Sequence, residues 1–284
     1  MFTSEATIES SAAPVATRCF VPIETHPPAN PLIEKLGKFA TLSGQERDAL
    51  DRLCRSRKKL GLGETLVREG CRSSFVFLIL KGVAVRYRYL SNGKRQIMGY
   101  LLPGDLCDAH FLVRNYLDHD ISLLTDAEVA VLPIHELTSV MAAFPTVRQA
   151  LLETMVTDRA MLREWLLNVG QRNARQKLAH FICEISQRMQ SLGQVNPDGS
   201  YSIPLTQVEL ADTMGLTVVH VSRCLQRFRA EGLVYWSRQQ LTILDVQGLR
   251  QLGGFDQGYL HIGLEPASRC GTGGEVGPRS LVAA

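Results

Sequence analysis

Two predicted short helices in the last third of the chain hold the residues best suited to bind a ligand. Thr206 and Glu209 have the spacing of a capping box, and Gly215 stands where a left-handed residue would end the helix. Thr217 can then cap a second helix that runs to about Ala230. Two helices joined by a tight glycine-containing turn predict a helix-turn-helix. The inward face of its first helix is predicted to consist of Val208, Ala211 and Met214.

The second helix separates an apolar stripe from a polar face. Val221, Leu225 and Phe228 recur at core-facing spacing. Arginine on the opposite side can bond a guanine edge bidentately, and serine, glutamine or histidine can reach bases or phosphates. Hydroxyl groups at the two helix starts and a basic tip on the following β-hairpin could hold phosphates. The residues predicted to contact DNA are Thr206, Gln207, Thr217, Val219, His220, Ser222, Arg223, Gln226, Arg227 and Arg238.

The distribution of charge bears on that prediction. The chain has 31 Lys and Arg against 28 Asp and Glu, a net charge of +3, which excludes a histone-like polycation. Residues 171–250 hold nine basic and six acidic residues, so this region accounts for the whole surplus. Many surface helices nevertheless carry two arginines that contact only water. The alternative is therefore a β-domain ligand-binding or protein-interaction module whose winged helix does not bind DNA.

Residues 60–133 have the composition of an antiparallel β domain. Glycines recur every 11 or 12 residues from Gly70 to Gly104, among turn-forming residues. The predicted strands are Phe75–Leu80, Val83–Tyr89, Gln96–Leu102 and Glu128–Leu132. Strands at this pitch predict a sandwich or barrel of hairpins.

A long helix is predicted over residues 147–170. Its apolar residues follow a spacing of 4, 7, 3 and 4, which is typical of a coiled-coil stripe. The helix could pack only on its own β domain, but neighbouring apolar residues widen the stripe enough for a second subunit. The residues predicted to form a dimerisation surface are Leu151, Met155, Leu162, Trp165 and Val169.

Composition and missing motifs exclude further classes of protein. Seven scattered cysteines without a C-x-x-C pattern fit a reducing cytosol. The apolar run Phe75–Leu80 is far shorter than the roughly 20 residues of a membrane helix, and no signal peptide is visible. The absence of a P-loop, G-x-S-x-G or H-E-x-x-H pattern argues against an enzyme. The sequence predicts a cytoplasmic protein with no membrane partner.

Five motifs occur along the chain in a specific order. Leu66–Gly70 (LVREG), Leu78–Gly82 (LILKG) and Leu102–Asp105 (LPGD) lie in the β region. Leu210–Thr217 (LADTMGLT) and Val221–Phe228 (VSRCLQRF) follow the long helix. With these motifs, residues 31–250 resemble the cyclic-AMP receptor/fumarate-nitrate regulator (Crp/Fnr) family of bacterial transcription factors.

The resemblance implies an α+β fold with an N-terminal antiparallel β-roll, a cyclic-nucleotide-binding-like jelly roll. A long central dimerisation helix and a C-terminal winged helix-turn-helix follow. Composition predicts a disordered leader (1–30) and a flexible, glycine-rich tail (251–284). Between them the resemblance implies the sensor β-roll with flanking helices (31–146), the dimerisation helix (147–170) and the DNA-binding domain (171–250). The resemblance also implies a homodimer on near-palindromic double-stranded DNA, and contact with RNA polymerase if the protein is an activator.

Two residues of the second helix carry the family comparison further. Arg223 falls where the family's main base-reading arginine lies. Val219 departs from the family, whose two main branches place glutamate on this face. Glutamate accepts a hydrogen bond from cytosine N4, whereas valine can contact only apolar groups such as a thymine methyl. We therefore expect an operator that differs from the consensus of both branches.

The β region lacks the residues with which the family binds a cyclic nucleotide. Asp108 and Ala109 follow the Pro-Gly-Asp turn in place of the family's Gly-Glu, and Asp118 stands near the position of a phosphate-binding Arg-Ser pair. A carboxylate would repel the phosphate, so cyclic AMP is not expected. Cys19 is the leader's single cysteine, which argues against an iron–sulfur cluster. No cofactor is predicted, and haem or redox sensing stays open through Cys71, Cys107, His110 and His119.

Overall fold

The strand-rich region lies between two helical regions, as the sequence predicts. The computed structural model describes residues 30–107, 117–194, 196, 200–202, 205–237 and 240–261. Its helices are α1 (Pro31–Gly37), α2 (Gly44–Leu53), α3 (Ile134–Ala143), α4 (Pro145–Gln171), α5 (Ala174–Ser191), α6 (Gln207–Met214), α7 (Val218–Ala230) and α8 (Val246–Gly253). A C-terminal 3₁₀ turn spans Gln257–Leu260. None of these helices is long and apolar enough to cross a membrane.

The strands form three antiparallel sheets, and the predicted α+β class is confirmed. They are β1 (Arg57–Leu60), β2 (Thr65–Val67), β3 (Phe75–Lys81), β4 (Ala84–Tyr89), β5 (Arg95–Leu101), β6 (Asp120–Leu123), β7 (Ala127–Pro133), β8 (Tyr201–Ser202), β9 (Val234–Ser237) and β10 (Gln240–Ile243). The β-roll consists of the sheets β1-β7-β3 and β2-β6-β4-β5, and the wing sheet has the order β8-β10-β9. The four β-roll strands predicted from the sequence are present as β3, β4, β5 and β7, with their ends shifted by at most two residues.

Two apolar clusters belong to the β-roll, and a third joins the β-roll to the C-terminal helices. One of the first two packs α1 to α4 on the β1-β7-β3 sheet, and the other fills the roll. The third includes Val85, Ile97 and Tyr100 of the roll together with Phe181 of α5 and Phe228 of α7. The helix-turn-helix region therefore shares buried apolar surface with the β-roll.

The predicted flexible tail starts too early, because the chain stays folded to His261. Phe255 and Leu260 are buried, and the Tyr259 hydroxyl donates a hydrogen bond of 2.7 Å to Glu184. Apolar and aromatic side chains in this short glycine-containing stretch give it a surface to bury against α4 and α5. The predicted leader (apart from Asn30, which caps α1) and residues 262–284 lie outside the described residues.

Helix α8 lies in close contact with α5 at Gly253. A Cβ atom there would lie 2.6 Å from the backbone nitrogen of His180 and 2.8 Å from its Cα atom. Neither backbone atom can move without shifting α5, so we expect Gly253→Ala to lower the free energy of unfolding by about 1–3 kcal/mol. Urea denaturation followed by circular dichroism measures the change.

Gly44→Ala provides a matched control, because Gly44 is also helical and a Cβ atom there meets nothing within 4 Å. We expect this variant to match the wild type or to gain up to about 1 kcal/mol. Equal urea midpoints for Gly253→Ala and the wild type would show that α8 does not pack this closely on α5.

Candidate nucleic-acid interface

The first helix of the predicted helix-turn-helix is held by its caps. The Thr206 hydroxyl accepts a hydrogen bond from the backbone N–H of Glu209 at 3.3 Å, and the Glu209 carboxylate accepts one from the Thr206 N–H at 2.8 Å. Gly215 ends α6 with a φ of 62°, the left-handed conformation that favours glycine. The predicted inward position of Val208 is wrong, because this side chain is 50% exposed and Leu210 fills the core instead.

Helix α7 presents the predicted polar face to solvent. The Thr217 hydroxyl caps it by accepting a hydrogen bond from the His220 N–H at 3.3 Å. Val221 and Phe228 are fully buried, and Leu225 is partly buried against the same core. Residues on the outer side are exposed except for half-buried Ser222: Val219, His220, Ser222, Arg223, Gln226 and Arg227.

Three basic residues of α7 lie in one shallow groove with the start of α5. His220, Arg223 and Arg227 line this groove together with Arg175. Arg175 was missed by sequence reasoning, and it forms an ion pair with Glu231 at the end of α7. The only local signal for this position is the capping box at Asn173, which starts α5 beside α7.

The other predicted DNA contacts lie at helix starts and in the wing. Thr206, Gln207 and Thr217 are exposed at the first residues of α6 and α7. Strands β9 and β10 pair as the predicted hairpin, with Val234 opposite Ile243. Strand β8 adds a third strand that the sequence did not reveal. Arg238 lies outside the described residues.

The back of the helix-turn-helix is attached to the β-roll. Arg95 Nε of β5 donates a hydrogen bond of 2.7 Å to Asp212 of α6. The Tyr100 hydroxyl and the Thr213 hydroxyl lie 2.7 Å apart in a buried site, and Gln96 donates to the Thr213 carbonyl at 3.1 Å. Burial raises the pKa of the Tyr100 hydroxyl, which therefore stays protonated. These contacts fix the direction in which α7 faces relative to the β-roll sheet that contains β5.

Helix α4 has two apolar sides, and the predicted dimerisation residues divide between them. Leu151 is 3% exposed and packs in the β-roll core. Trp165 donates a hydrogen bond of 2.9 Å to Glu184, and its ring lies 6.0 Å from that of Tyr100. These two residues thus contact their own chain, contrary to the prediction. Met155 is half-buried, whereas Leu162 and Val169 are exposed. The exposed large apolar residues of this helix are Leu152, Val156, Leu162, Leu166, Leu167 and Val169.

The residues considered for haem or redox sensing do not form a metal cluster in the described part of the chain. Cys71 is exposed, Cys107 is buried, and His119 Nδ1 lies 2.8 Å from Asp118. His110, Asp108 and Ala109 lie outside the described residues. Within the described ranges no three His, Cys, Asp or Glu side chains come together to hold a metal ion.

Comparison with known proteins gives matches to both parts of the chain. The model of the Crp-like helix-turn-helix domain matches residues 176–252, and that of the cyclic nucleotide-binding domain matches residues 57–144. The Anaerobic regulatory protein of Haemophilus influenzae is 28% identical over 75% of this chain and 82% of its own length. The Fumarate and nitrate reduction regulatory protein of Escherichia coli is 27% identical over 75% of this chain and 85% of its own length.

Solved structures share the fold. FixK2 from Bradyrhizobium japonicum superposes with a TM-score of 0.62 at 21% identity, over 69% of this chain and 96% of its own. The regulator TTHB099 from Thermus thermophilus superposes with a TM-score of 0.56 at 19% identity. The superposition covers 70% of this chain and 97% of TTHB099. The two domain models together match more than half of the chain, in the order β-roll and then helix-turn-helix. The chain belongs to the Crp/Fnr family of transcription regulators.

Proposed function

We propose that this protein is a DNA-binding transcription regulator that acts as a homodimer on a near-palindromic operator. The observation that carries this proposal is the exposed face of α7, where Arg223 shares a groove with His220, Arg227 and Arg175. The buried stripe on the other side of α7 leaves this face free to enter a major groove. The names of the relatives, an Anaerobic regulatory protein and a Fumarate and nitrate reduction regulatory protein, support regulation as the role.

Within this interface the residues divide by what they can reach. Arg223 has the fork of donors that bonds both acceptors of a guanine edge, and Val219 can contact a thymine methyl. The exposed helix starts that Thr206 and Thr217 cap suit phosphates, since helix N-termini attract anions. We assign phosphate contacts or base contacts of lower specificity to the remaining predicted residues, Gln207, His220, Ser222, Gln226, Arg227 and Arg238.

The exposed side of α4 supports the homodimer. Large apolar side chains left in water over four turns of one helix form a surface of the kind that a second copy covers. A two-fold dimer through this side would place two α7 helices on successive half-sites. We include Met155, Leu162 and Val169 in this surface, with Leu152, Val156, Leu166 and Leu167, and we exclude Leu151 and Trp165.

The proposal names no cyclic nucleotide as effector, because Asp118 stands in the sequence where the family has its phosphate-binding Arg-Ser pair, and a carboxylate would repel a phosphate. Transcription regulators are not enzymes, and we propose no catalytic activity. As a regulator of transcription the protein would act in the cytoplasm, and as an activator it would also contact RNA polymerase.

The base contact of Arg223 can be tested once selection from random DNA has given the operator. We expect Arg223→Ala to weaken operator binding by about 5- to 150-fold, since one bidentate guanine contact is worth about 1–3 kcal/mol. Fluorescence anisotropy with labelled operator measures the affinity. Arg229→Ala is the control on the same helix, because the Arg229 guanidinium stacks 5.4 Å from the Tyr235 ring at the far end of α7.

The control should bind within a few-fold of the wild type. Full operator affinity in Arg223→Ala would contradict the assignment. It would favour the alternative in which the winged helix contacts proteins.

Specificity at Val219 provides a second test. We expect Val219→Glu to change the preferred base at one position per half-site from thymine to cytosine, because a carboxylate accepts the cytosine N4 hydrogen bond. Binding to operators with each base substituted in turn measures the preference. Val218→Glu at the neighbouring exposed position should lower affinity without changing the preferred base. An unchanged preference in Val219→Glu would remove Val219 from the base contacts.

The dimer surface can be tested with Leu166, which is 74% exposed. We expect Leu166→Glu to convert the dimer into a monomer, because two like charges would be buried at the interface. Sedimentation velocity measures the mass. Leu62→Glu is the control, since Leu62 is 68% exposed on the β-roll, and that variant should stay dimeric. A dimeric Leu166→Glu protein would show that this side of α4 is not the interface.

A further inference from the structure

A cavity that is open to solvent lies where the β-roll meets the C-terminal helices, away from the α7 groove. Its walls come from the end of α1, the turn at Pro103, the middle of α4, the end of α5 and the C-terminal 3₁₀ turn. Because α5 belongs to the matched helix-turn-helix domain, the cavity lies between the sensor and the DNA-binding region.

Among the described residues, one cation that lines this cavity forms no ion pair with a carboxylate. Asp105 is shared by two of them, with Lys35 Nζ 2.5 Å from Oδ1 and Arg188 Nη2 3.1 Å from Oδ2. Asp158 pairs with Arg86 at 3.4 Å. Among the described residues, Lys38 has no carboxylate within 4 Å, and its Nζ donates a hydrogen bond of 3.0 Å to the Ser191 carbonyl.

Lys38 is a half-buried cation beside a second cation, Lys35. Burial, and then the charge of Lys35, lower the pKa of Lys38, while Asp105 and Glu34 oppose them. An ammonium group carries three donors, so it can bond an incoming anion and keep its hydrogen bond to Ser191. An anion at this point would gain a charge-assisted hydrogen bond and would relieve the repulsion between the two lysines.

The rest of the cavity wall is largely apolar. Phe39, Met161, Leu192 and Leu260 contribute side chains from four different elements. His261 lies at the rim with a φ of 51°, and its Nδ1 atom is buried without a hydrogen-bond partner among the described residues. The cavity thus combines a cationic end with an apolar wall.

We propose that this cavity binds a small organic anion, a monocarboxylate with an aliphatic or aromatic tail. Its carboxylate would bond Lys38, and its tail would lie against Met161 and Leu192. Such a ligand would contact the β-roll side through α1 and the DNA-binding region through α5. Binding at this site does not depend on the DNA-binding proposal, so the two can fail separately.

Isothermal titration calorimetry of the full chain with octanoate tests the site. We expect one octanoate per chain with a Kd of about 1 mM or tighter, as a ligand of this size can provide. Lys38→Met keeps the length of the side chain and removes its charge. It should weaken octanoate binding about 10- to 150-fold, the value of a hydrogen bond to a charged group.

Three controls keep the result interpretable. Lys38→Arg retains the charge and should bind octanoate within a few-fold of the wild type. Lys58→Met removes an exposed lysine on β1 and should change nothing. Octan-1-ol has the same tail without the charge and should bind at least about 10-fold more weakly than octanoate. Circular dichroism shows whether each variant is folded.

The proposal is overturned if octanoate does not bind the folded wild type. It is equally overturned if octanoate binds wild type and Lys38→Met alike, or if octan-1-ol binds as well as octanoate. Weakening in Lys38→Met together with rescue in Lys38→Arg would assign the anion to Lys38.

Discussion

Helix α5 is buried on almost every side. The elements around it are positioned by their packing against this one helix. The Phe181 ring lies 5.4 Å from Tyr100 of the β-roll and 6.0 Å from Trp165 of α4. The buried Glu184 carboxylate accepts hydrogen bonds from Trp165 and from Tyr259. Burial raises the pKa of Glu184, and a buried carboxyl group needs such donors because it has lost its water. The β-roll, the long helix α4 and the C-terminal 3₁₀ turn therefore all pack against α5.

That arrangement determines which surfaces the chain leaves for partners. The back of the helix-turn-helix is occupied, since α6 is bonded to β5 through Arg95 and Asp212. The front, with Arg223, faces solvent. One side of α4 is covered by the chain's own core, and the other exposes Leu166 and its neighbours. The proposed DNA face, dimer face and anion cavity are thus distinct surfaces around the same buried helix.

Features determined by neighbouring residues could be predicted from the sequence. The capping box at Thr206 and the left-handed Gly215 depend on a few adjacent residues, and they located α6 and α7 correctly. Strands with a clear apolar pattern, such as β3, were also found. Strands β1, β2 and β6 of the β-roll were missed. Strand β1 is mostly exposed, and β2 and β6 have only three and four residues.

Features that depend on distant pairs could not be predicted in this way. The apolar stripe of α4 predicted a helix with an apolar face that packs against a partner. It could not show that Trp165 contacts Glu184 of the same chain. Arg95 and Asp212 are 117 positions apart, so no local pattern connects them. The proposed cavity joins elements from both ends of the described chain. Such contacts become visible only when the topology is known.

The hydrogen bond from Tyr259 to Glu184 has a consequence for where the functional unit ends. The matched helix-turn-helix domain stops at residue 252, yet Phe255, Tyr259 and Leu260 complete the packing of α4 and α5. A fragment cut at the domain boundary would lose one of the donors to a carboxyl group inside the protein and would uncover the apolar surface beneath the 3₁₀ turn. The smallest intact unit of this regulator therefore extends beyond residue 252, where the matched helix-turn-helix domain ends. The residues that follow stabilise the packing of α4 on α5.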